Sequence, residues 1–116
     1  MRIILFRHAP AEASDPQRWP DDLARPLTAR GKARARRVSR SIIRLEPEIS
    51  RVFSSPACRA LATAEILLRE LGSKVEVEKL SSLAPGGAWH ETLHTLAQEA
   101  GDGTVVLVGH EPGMGE

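Results

Sequence analysis

Short runs of apolar and β-branched residues predict four β-strands along the chain. The runs cover residues 3–6, 52–53, 75–77 and 104–108. Residues 104–108 are almost continuously apolar, as expected of a parallel strand that helices cover on both faces. We therefore expect this last run to lie inside a sheet.

Apolar residues at intervals of three and four predict a helix between each pair of strands. The predicted helices cover residues 28–45, 56–71 and 89–100. Thr28 is a good N-cap, Pro47 stops the first helix, and Gly72 and Gly101 close the other two. Strands alternating with helices predict an α/β fold, a three-layer sandwich with a mostly parallel central sheet flanked by helices.

The segment between the first strand and the first helix is rich in proline and aspartate. Its prolines and aspartates are Pro10, Pro16, Pro20, Pro26, Asp15, Asp21 and Asp22. Proline removes a backbone donor and restricts the residue before it, so the segment cannot hold a long helix. We interpret it as a loop at the rim of a site.

Length and composition predict a single domain spanning residues 1–116. The chain has 116 residues, of which 41% are hydrophobic, enough for one core. It contains neither a run of about 20 apolar residues nor a secretion signal, which predicts a soluble cytoplasmic protein with no membrane partner. Cys58 is the only cysteine, so an internal disulfide is excluded, and we expect a small buried thiol.

Charge is balanced over the chain but concentrated locally. Residues 23–45 contain eight Lys or Arg and no acid. This pattern predicts a solvated helix face, with a docking surface for an acidic partner as the alternative. Aromatic residues make up only 3% of the chain and Tyr is absent, so binding of nucleic acid by base stacking is not expected.

Two histidines and two arginines follow the predicted strands at their carboxyl ends. Arg7 and His8 follow the first strand, and His110 follows the last. Arg59 lies in the first turn of the predicted helix that follows the second strand. Ligands bind outside the carboxyl ends of parallel strands, so these side chains should converge. Cations and imidazoles with no carboxylate among them predict a pocket for a phosphoryl group.

Each of these four residues suits phosphoryl transfer. A neutral imidazole at His8 can attack phosphorus and form a covalent intermediate. The planar forks of Arg7 and Arg59 match phosphate oxygens in pairs, and His110, if protonated, would add a donor. The alternative is that each residue has only a structural role, as a single histidine often does.

A second motif predicts different chemistry. His90, Glu91 and His94 satisfy the H-E-x-x-H pattern, in which two histidines bind zinc and the glutamate serves as base. Ala97 and Ala100 stand where the longer form of this motif would have glycine and histidine. We therefore expect a fortuitous match, and no metal or cofactor.

Four blocks of sequence together resemble the histidine phosphatase (phosphoglycerate mutase-like) superfamily, and most of all its SixA-type phosphohistidine phosphatases. The blocks are Arg7-His8-Ala9, Arg25-Pro26-Leu27-Thr28 with Gly31, Ser55-Pro56-x-x-Arg59-Ala60 with Thr63, and Gly109-His110-Glu111-Pro112-Gly113. The resemblance implies that His8 is the phosphorylated nucleophile. It further implies that Arg7, Arg59 and His110 complete the phosphate pocket, with Arg25 as an additional contact.

The chain departs from the family pattern at several positions. Ala9 replaces a usual glycine, Ala62 a common glutamine, and Ser82 an acidic residue that donates a proton in many members. Members of the family continue beyond the position of Glu116 through a helix and a strand. We therefore expect the domain to lack these elements. We also expect an apolar surface beside residues 104–108, covered by missing residues, another copy of the chain or a partner.

The resemblance implies a phosphatase that removes phosphate from phosphohistidine on a phosphorylated protein substrate, without metal. Two alternatives remain open at this stage. One is a phosphatase of a small phosphoester, and the other is a catalytically silent module that binds phosphate or docks on a protein. Glu12, Glu91 and Glu111 are the candidate proton donors.

Overall fold

A computed structural model describes residues 2–72, 74–98 and 103–110 of the chain. These residues form four strands, three α-helices and two short 3-10 helices. The strands are β1 (Arg2–Arg7), β2 (Ile49–Ser54), β3 (Val77–Lys79) and β4 (Thr104–Gly109), the α-helices are α1 (Ala29–Leu45), α2 (Cys58–Leu71) and α3 (Trp89–Gln98), and the 3-10 helices are Asp22–Ala24 and Ser81–Leu83. The predicted alternation of strands and helices is confirmed.

The four strands form one parallel sheet in the order β1-β4-β2-β3. Arg7 pairs with Gly109, and Ser54 pairs with Val108, so three strands end at nearly the same level. The ladder continues one step further, where the His8 N–H donates to the Gly109 carbonyl at 3.0 Å. This shared register brings the residues that follow three different strands to one edge of the sheet.

Side chains alternate between the two faces of the sheet, as the twofold periodicity of a strand requires. Val106 and Val108 pack with α1 and α2 on one face. Val105 and Leu107 pack with α3 and the Ser81–Leu83 turn on the other face. The predicted three-layer sandwich is therefore confirmed, with β4 at its centre.

The first two α-helices begin and end where local chemistry favours it. The Thr28 side chain accepts from the Gly31 N–H at 2.9 Å and caps α1. Gly72 adopts φ 67° at the end of α2, a left-handed conformation that glycine adopts without a steric penalty. The start of α2 was predicted two residues too early, because Ala57, with ψ 140°, is still extended and Cys58 is the first helical residue.

Two further predictions from the sequence are wrong, and a third falls outside the described residues. The third strand lies at Val77–Lys79 rather than 75–77, because Val77 is the first residue in register with β2, opposite Val52. Cys58 is exposed rather than buried, whereas Ala57 and Ala60 beside it are buried, with Ala60 in the core cluster under the sheet. The predicted end of the third helix at 99–101 lies outside the described residues.

The exposed apolar surface lies elsewhere than predicted. Every described residue of β4 is buried, because α2 covers one face and α3 the other. A groove of about 750 Å³ runs instead between β1 and α1, with apolar walls that include Phe6, Val38 and Ile42. Within the described residues, β1 pairs with β4 alone and leaves its other edge beside this groove.

Candidate active site

The two histidines predicted at the strand ends lie side by side. His8 follows β1 and His110 follows β4, and the centroids of their rings are 5.0 Å apart. His110 is buried and His8 is partly buried. Adjacent parallel strands that end in register account for this placement.

A backbone carbonyl fixes the tautomer of His8. The Nδ1 atom of His8 lies 2.7 Å from the Ala9 carbonyl oxygen. A carbonyl only accepts, so we assign the proton of the neutral ring to Nδ1. Nε2 then carries the lone pair, which is the form in which an imidazole acts as a nucleophile.

Thr63 of α2 holds the backbone that orients His8. Its buried hydroxyl accepts from the Ala9 N–H at 3.1 Å and donates to the Arg59 carbonyl at 2.8 Å. Ala9 thus bonds to Thr63 through its N–H and to His8 through its carbonyl. The spacing between Arg59 and Thr63, one helical turn, permits this connection.

Arg59 is buried at the start of α2, with 4% of its surface exposed. Its Nη1 donates to the Asp22 carbonyl oxygen at 2.9 Å, and its Nη2 lies 3.2 Å from Asp22 Oδ2. Its Nε has no hydrogen-bond partner among the described residues. One edge of this guanidinium is therefore occupied, and a buried donor on another edge is available.

Arg25 and Arg7 lie at the same end of the sheet. Arg25 donates from Nε to Asp22 Oδ1 at 3.1 Å and from Nη1 to the Glu12 carbonyl at 2.7 Å. Arg7 is exposed and lines the β1–α1 groove together with His8 and Arg25. All four predicted site residues and Arg25 thus lie around one end of the sheet.

Asp22 is a carboxylate that the sequence did not assign to the site, and it lies between Arg25 and Arg59. Partial desolvation raises the pKa of Asp22, but the hydrogen bond from Arg25 and the charge of Arg59 outweigh it and lower the pKa overall. The carboxylate is therefore ionised near neutral pH. It escaped sequence analysis because it lies 37 residues from Arg59 in a loop without periodicity.

Ser55 is a second residue that sequence analysis did not assign to the site. Its buried hydroxyl lies 2.7 Å from His110 Nε2 and accepts from the Ala57 N–H at 3.2 Å. We assign Ser55 as donor to Nε2, which places the His110 proton on Nδ1. That buried Nδ1 has no partner among the described residues and can donate to a ligand.

Both imidazoles have pKa values below the usual 6.5. The pKa of His110 is lowered to about 4, chiefly by burial, with smaller contributions from the charges of His8 and Arg59. Burial also lowers the pKa of His8; the bond to Ala9 opposes the shift, and the charges of Arg59 and Arg7 add to it. At neutral pH His110 is therefore neutral and donates through one N–H, rather than as the protonated ring considered from the sequence.

Gly31 permits the loop after β1 to approach α1. A Cβ at this position would overlap the Pro10 carbonyl oxygen. The same carbonyl accepts from the Thr28 N–H at 3.2 Å. The glycine of the second sequence block therefore fixes the loop that follows His8 against the start of α1.

Several other candidate residues make no side-chain bond to His8, Arg59 or His110 in the described contacts, or lie outside the described residues. His90 and His94 are exposed on α3, and the described residues contain no group of three side chains suited to a metal. Ser82 contacts Thr92 through its hydroxyl, and Glu111 lies outside the described range. The basic residues of α1 are exposed, as predicted for a solvated face: Arg30, Lys32, Arg34, Arg36, Arg37, Arg40 and Arg44.

A sequence profile of the histidine phosphatase superfamily (branch 1) matches residues 3–92, most of the chain. The chain belongs to this superfamily. It is 37% identical over 119 aligned positions to an uncharacterized protein of Picosynechococcus sp. (strain ATCC 27264 / PCC 7002 / PR-6), covering 100% of this chain and 70% of that protein. Membership agrees with the resemblance carried by the four sequence blocks.

Solved structures of the superfamily share the fold. The protein histidine phosphatase SixA in complex with tungstate is 30% identical, with a TM-score of 0.82 over 97% of this chain and 70% of that one. A proposed phosphohistidine phosphatase SixA from Agrobacterium tumefaciens is 25% identical, with a TM-score of 0.83 over 97% and 71% of the chains. An Entamoeba histolytica phosphoserine phosphatase, 20% identical with a TM-score of 0.65 over 93% and 73%, shares the fold alone.

Superfamily membership makes the chain a phosphatase of the histidine phosphatase type. In the residues described, no helix is both long enough and apolar enough to cross a bilayer.

Proposed function

We propose that the protein hydrolyses phosphohistidine on a protein substrate through a phosphorylated His8. The observation that carries the proposal is the state of the His8 ring. Its Nδ1 is held by the Ala9 carbonyl, its pKa is lowered, and the charges of three arginines reach it. A neutral, oriented imidazole in a cationic pocket suits attack on a phosphoryl group.

In the first step, Nε2 of His8 attacks phosphorus, and the bond from phosphorus to the substrate imidazole breaks. Arg7, Arg59 and the Nδ1–H of His110 bind the phosphoryl oxygens, and Arg25 contributes charge from the rim. The buried Nε of Arg59 and Nδ1 of His110 are donors without a protein partner, so the incoming oxygens would satisfy them. The departing imidazole takes a proton from water.

In the second step, water attacks the phosphoryl group on His8. The bond from phosphorus to Nε2 breaks, inorganic phosphate leaves, and the neutral ring is restored. The Ala9 carbonyl holds Nδ1–H through both steps and stabilises the positive charge that develops on the ring. This support resembles the way a carboxylate or carbonyl orients a catalytic histidine in other enzymes.

Preference for phosphohistidine over a phosphoester follows from the proton needs of the leaving group. A positioned general acid contributes about 10² to 10⁴ in rate. Among the described contacts, the carboxylate that bonds to the site arginines is Asp22, which is ionised, and the Ser82 hydroxyl bonds to that of Thr92. An imidazole can accept a proton from water near neutral pH, whereas an alkoxide needs an acid.

A comparison of substrates tests the proposal. We expect the purified protein to release phosphate from a histidine-phosphorylated protein at least about 10² times faster than from phosphoserine, with an aryl phosphate between them. His8→Ala should abolish release, whereas the matched variant His94→Ala, at an exposed position of α3, should not. Equal rates on phosphohistidine and phosphoserine would favour the small-phosphoester alternative. No turnover of any substrate would favour the silent module.

A further inference from the structure

The contacts of Arg59 separate the two usable edges of its guanidinium. In arginine, Nη1 and Nη2 form the end-on pair of donors, and Nε and Nη2 form the side-on pair. Asp22 takes the end-on pair, through its backbone carbonyl at 2.9 Å and its carboxylate at 3.2 Å. The side-on edge keeps a buried Nε–H without a partner among the described residues.

We propose that Asp22 is a positioning residue that holds Arg59 end-on, so that the side-on fork faces the phosphoryl group. The inference rests on the proposed function. A bidentate fork matches two phosphate oxygens only when the guanidinium plane is fixed. Asp22 fixes that plane with two bonds from one residue, which a single contact could not do.

The same carboxylate couples Arg59 to Arg25. Asp22 Oδ1 accepts from Arg25 at 3.1 Å while Oδ2 accepts from Arg59 at 3.2 Å. Two guanidinium groups beside one pocket repel each other, and a carboxylate between them relieves the repulsion. Three arginines, Arg7, Arg25 and Arg59, together with the Asp22 carboxylate carry a net charge of +2, which matches a phosphoryl dianion.

The local structure of the loop sets the place of Asp22. The Asp21 side chain accepts from the Leu23 N–H at 3.1 Å and caps the 3-10 helix Asp22–Ala24. The Arg25 N–H then donates to the Asp22 carbonyl at 3.2 Å and closes the turn. Asp21 and Asp22 are neighbours in the sequence, and both are exposed. Of the two, only Asp22 bonds to Arg25 and Arg59 in the described contacts.

Two other roles for Asp22 lead to different behaviour. As a proton donor it would have to be protonated near neutral pH, which its two arginine partners oppose. As a competing anion it would weaken phosphate binding, and its removal would strengthen it. A positioning role predicts that removal harms the transition state more than the ground state, because only one alignment of Arg59 meets the equatorial oxygens of a five-coordinate phosphorus.

The test compares vanadate, which adopts five-coordinate geometry, with inorganic phosphate, which does not. Binding of each is measured by calorimetry for the wild type, Asp22→Ala, Asp22→Asn and the control Asp21→Asn, which removes a neighbouring charge but keeps the cap. We expect Asp22→Ala to lose at least about tenfold in vanadate affinity and less than about threefold in phosphate affinity. Asp22→Asn should lie between, and Asp21→Asn should match the wild type.

Turnover on phosphohistidine provides a second measurement and separates the two proposals. If the Asp22 variants that lose vanadate affinity also lose kcat on phosphohistidine, while their KM stays similar to that of the wild type, the positioning role is supported. Tighter binding of both anions by Asp22→Ala, or equal effects of Asp22→Asn and Asp21→Asn, would overturn it. The wild-type protein could bind vanadate but fail to hydrolyse phosphohistidine, and that result would refute the proposed function. The comparison of vanadate affinities between variants would then still decide the role of Asp22. Wild-type protein that binds neither anion would overturn both.

Discussion

Thr63→Val removes the hydroxyl that connects α2 to the backbone beside His8. Valine has nearly the same shape, so packing at this fully buried position is preserved. The Ala9 N–H, itself in a buried residue, loses its acceptor. An unsatisfied buried donor costs about 1 to 3 kcal/mol, so the free energy of unfolding should fall by that amount.

The same change should slow catalysis, because Ala9 also holds Nδ1 of His8 through its carbonyl. Small displacements of a reacting group cost up to about 10² in rate, and we expect kcat to fall at least tenfold. Urea denaturation and steady-state release of phosphate from phosphohistidine measure the two effects. Thr63→Ser is the control: it loses one buried methyl, worth about 1 kcal/mol, but keeps the hydroxyl.

The outcome for Thr63→Ser decides between hydrogen bonding and packing. We expect its kcat to stay within about twofold of the wild type, because the hydroxyl still bonds to Ala9. Thr63→Val protein that is as active as the wild type and no less stable than Thr63→Ser would refute the role assigned to this bond.

Two further predictions concern pH and metal. The pKa of His110 is about 4 in the folded protein, below its value of about 6.5 in the unfolded chain, so the unfolded chain binds the proton first as the pH falls. The free energy of unfolding should therefore fall by roughly 2 to 3 kcal/mol between pH 6.5 and 4, and His110 should contribute no pH dependence above pH 6.5. His110→Gln should lose this contribution, and an unchanged dependence of stability on pH in that variant would contradict the assignment. A chelator should leave activity intact, and replacing His90 and His94 with alanine should change it by less than about twofold; loss of bound zinc together with activity would contradict this.

The sequence predicted the elements whose patterns are local. Apolar runs located β1 and β4, and Thr28 located the start of α1, because strand burial and capping depend on neighbouring residues. The short β3 was placed two residues early, since its start depends on its register with β2. Cys58 was expected to be buried but is exposed. Composition alone does not show which residues at the start of a helix face the sheet.

The site was predicted to the extent that its residues follow strands. His8 and His110 could be placed together because parallel strands end at one edge of a sheet. Asp22 could not, because an irregular loop has no periodicity and its contact with Arg59 is made across the fold. Ser55 belongs to one of the four sequence blocks, but its bond to His110 becomes visible only once β2 and β4 are in register.

The central claim is that His8 becomes phosphorylated, and trapping the intermediate tests it most directly. Protein mixed with a histidine-phosphorylated substrate is quenched within milliseconds in alkali, which preserves phosphohistidine, and the phosphoryl group is located by mass spectrometry. We predict an acid-labile phosphoryl group on His8 that is absent from His8→Ala and present in His94→Ala. Undiminished turnover by His8→Ala, or a phosphoryl group trapped on another residue, would contradict the account.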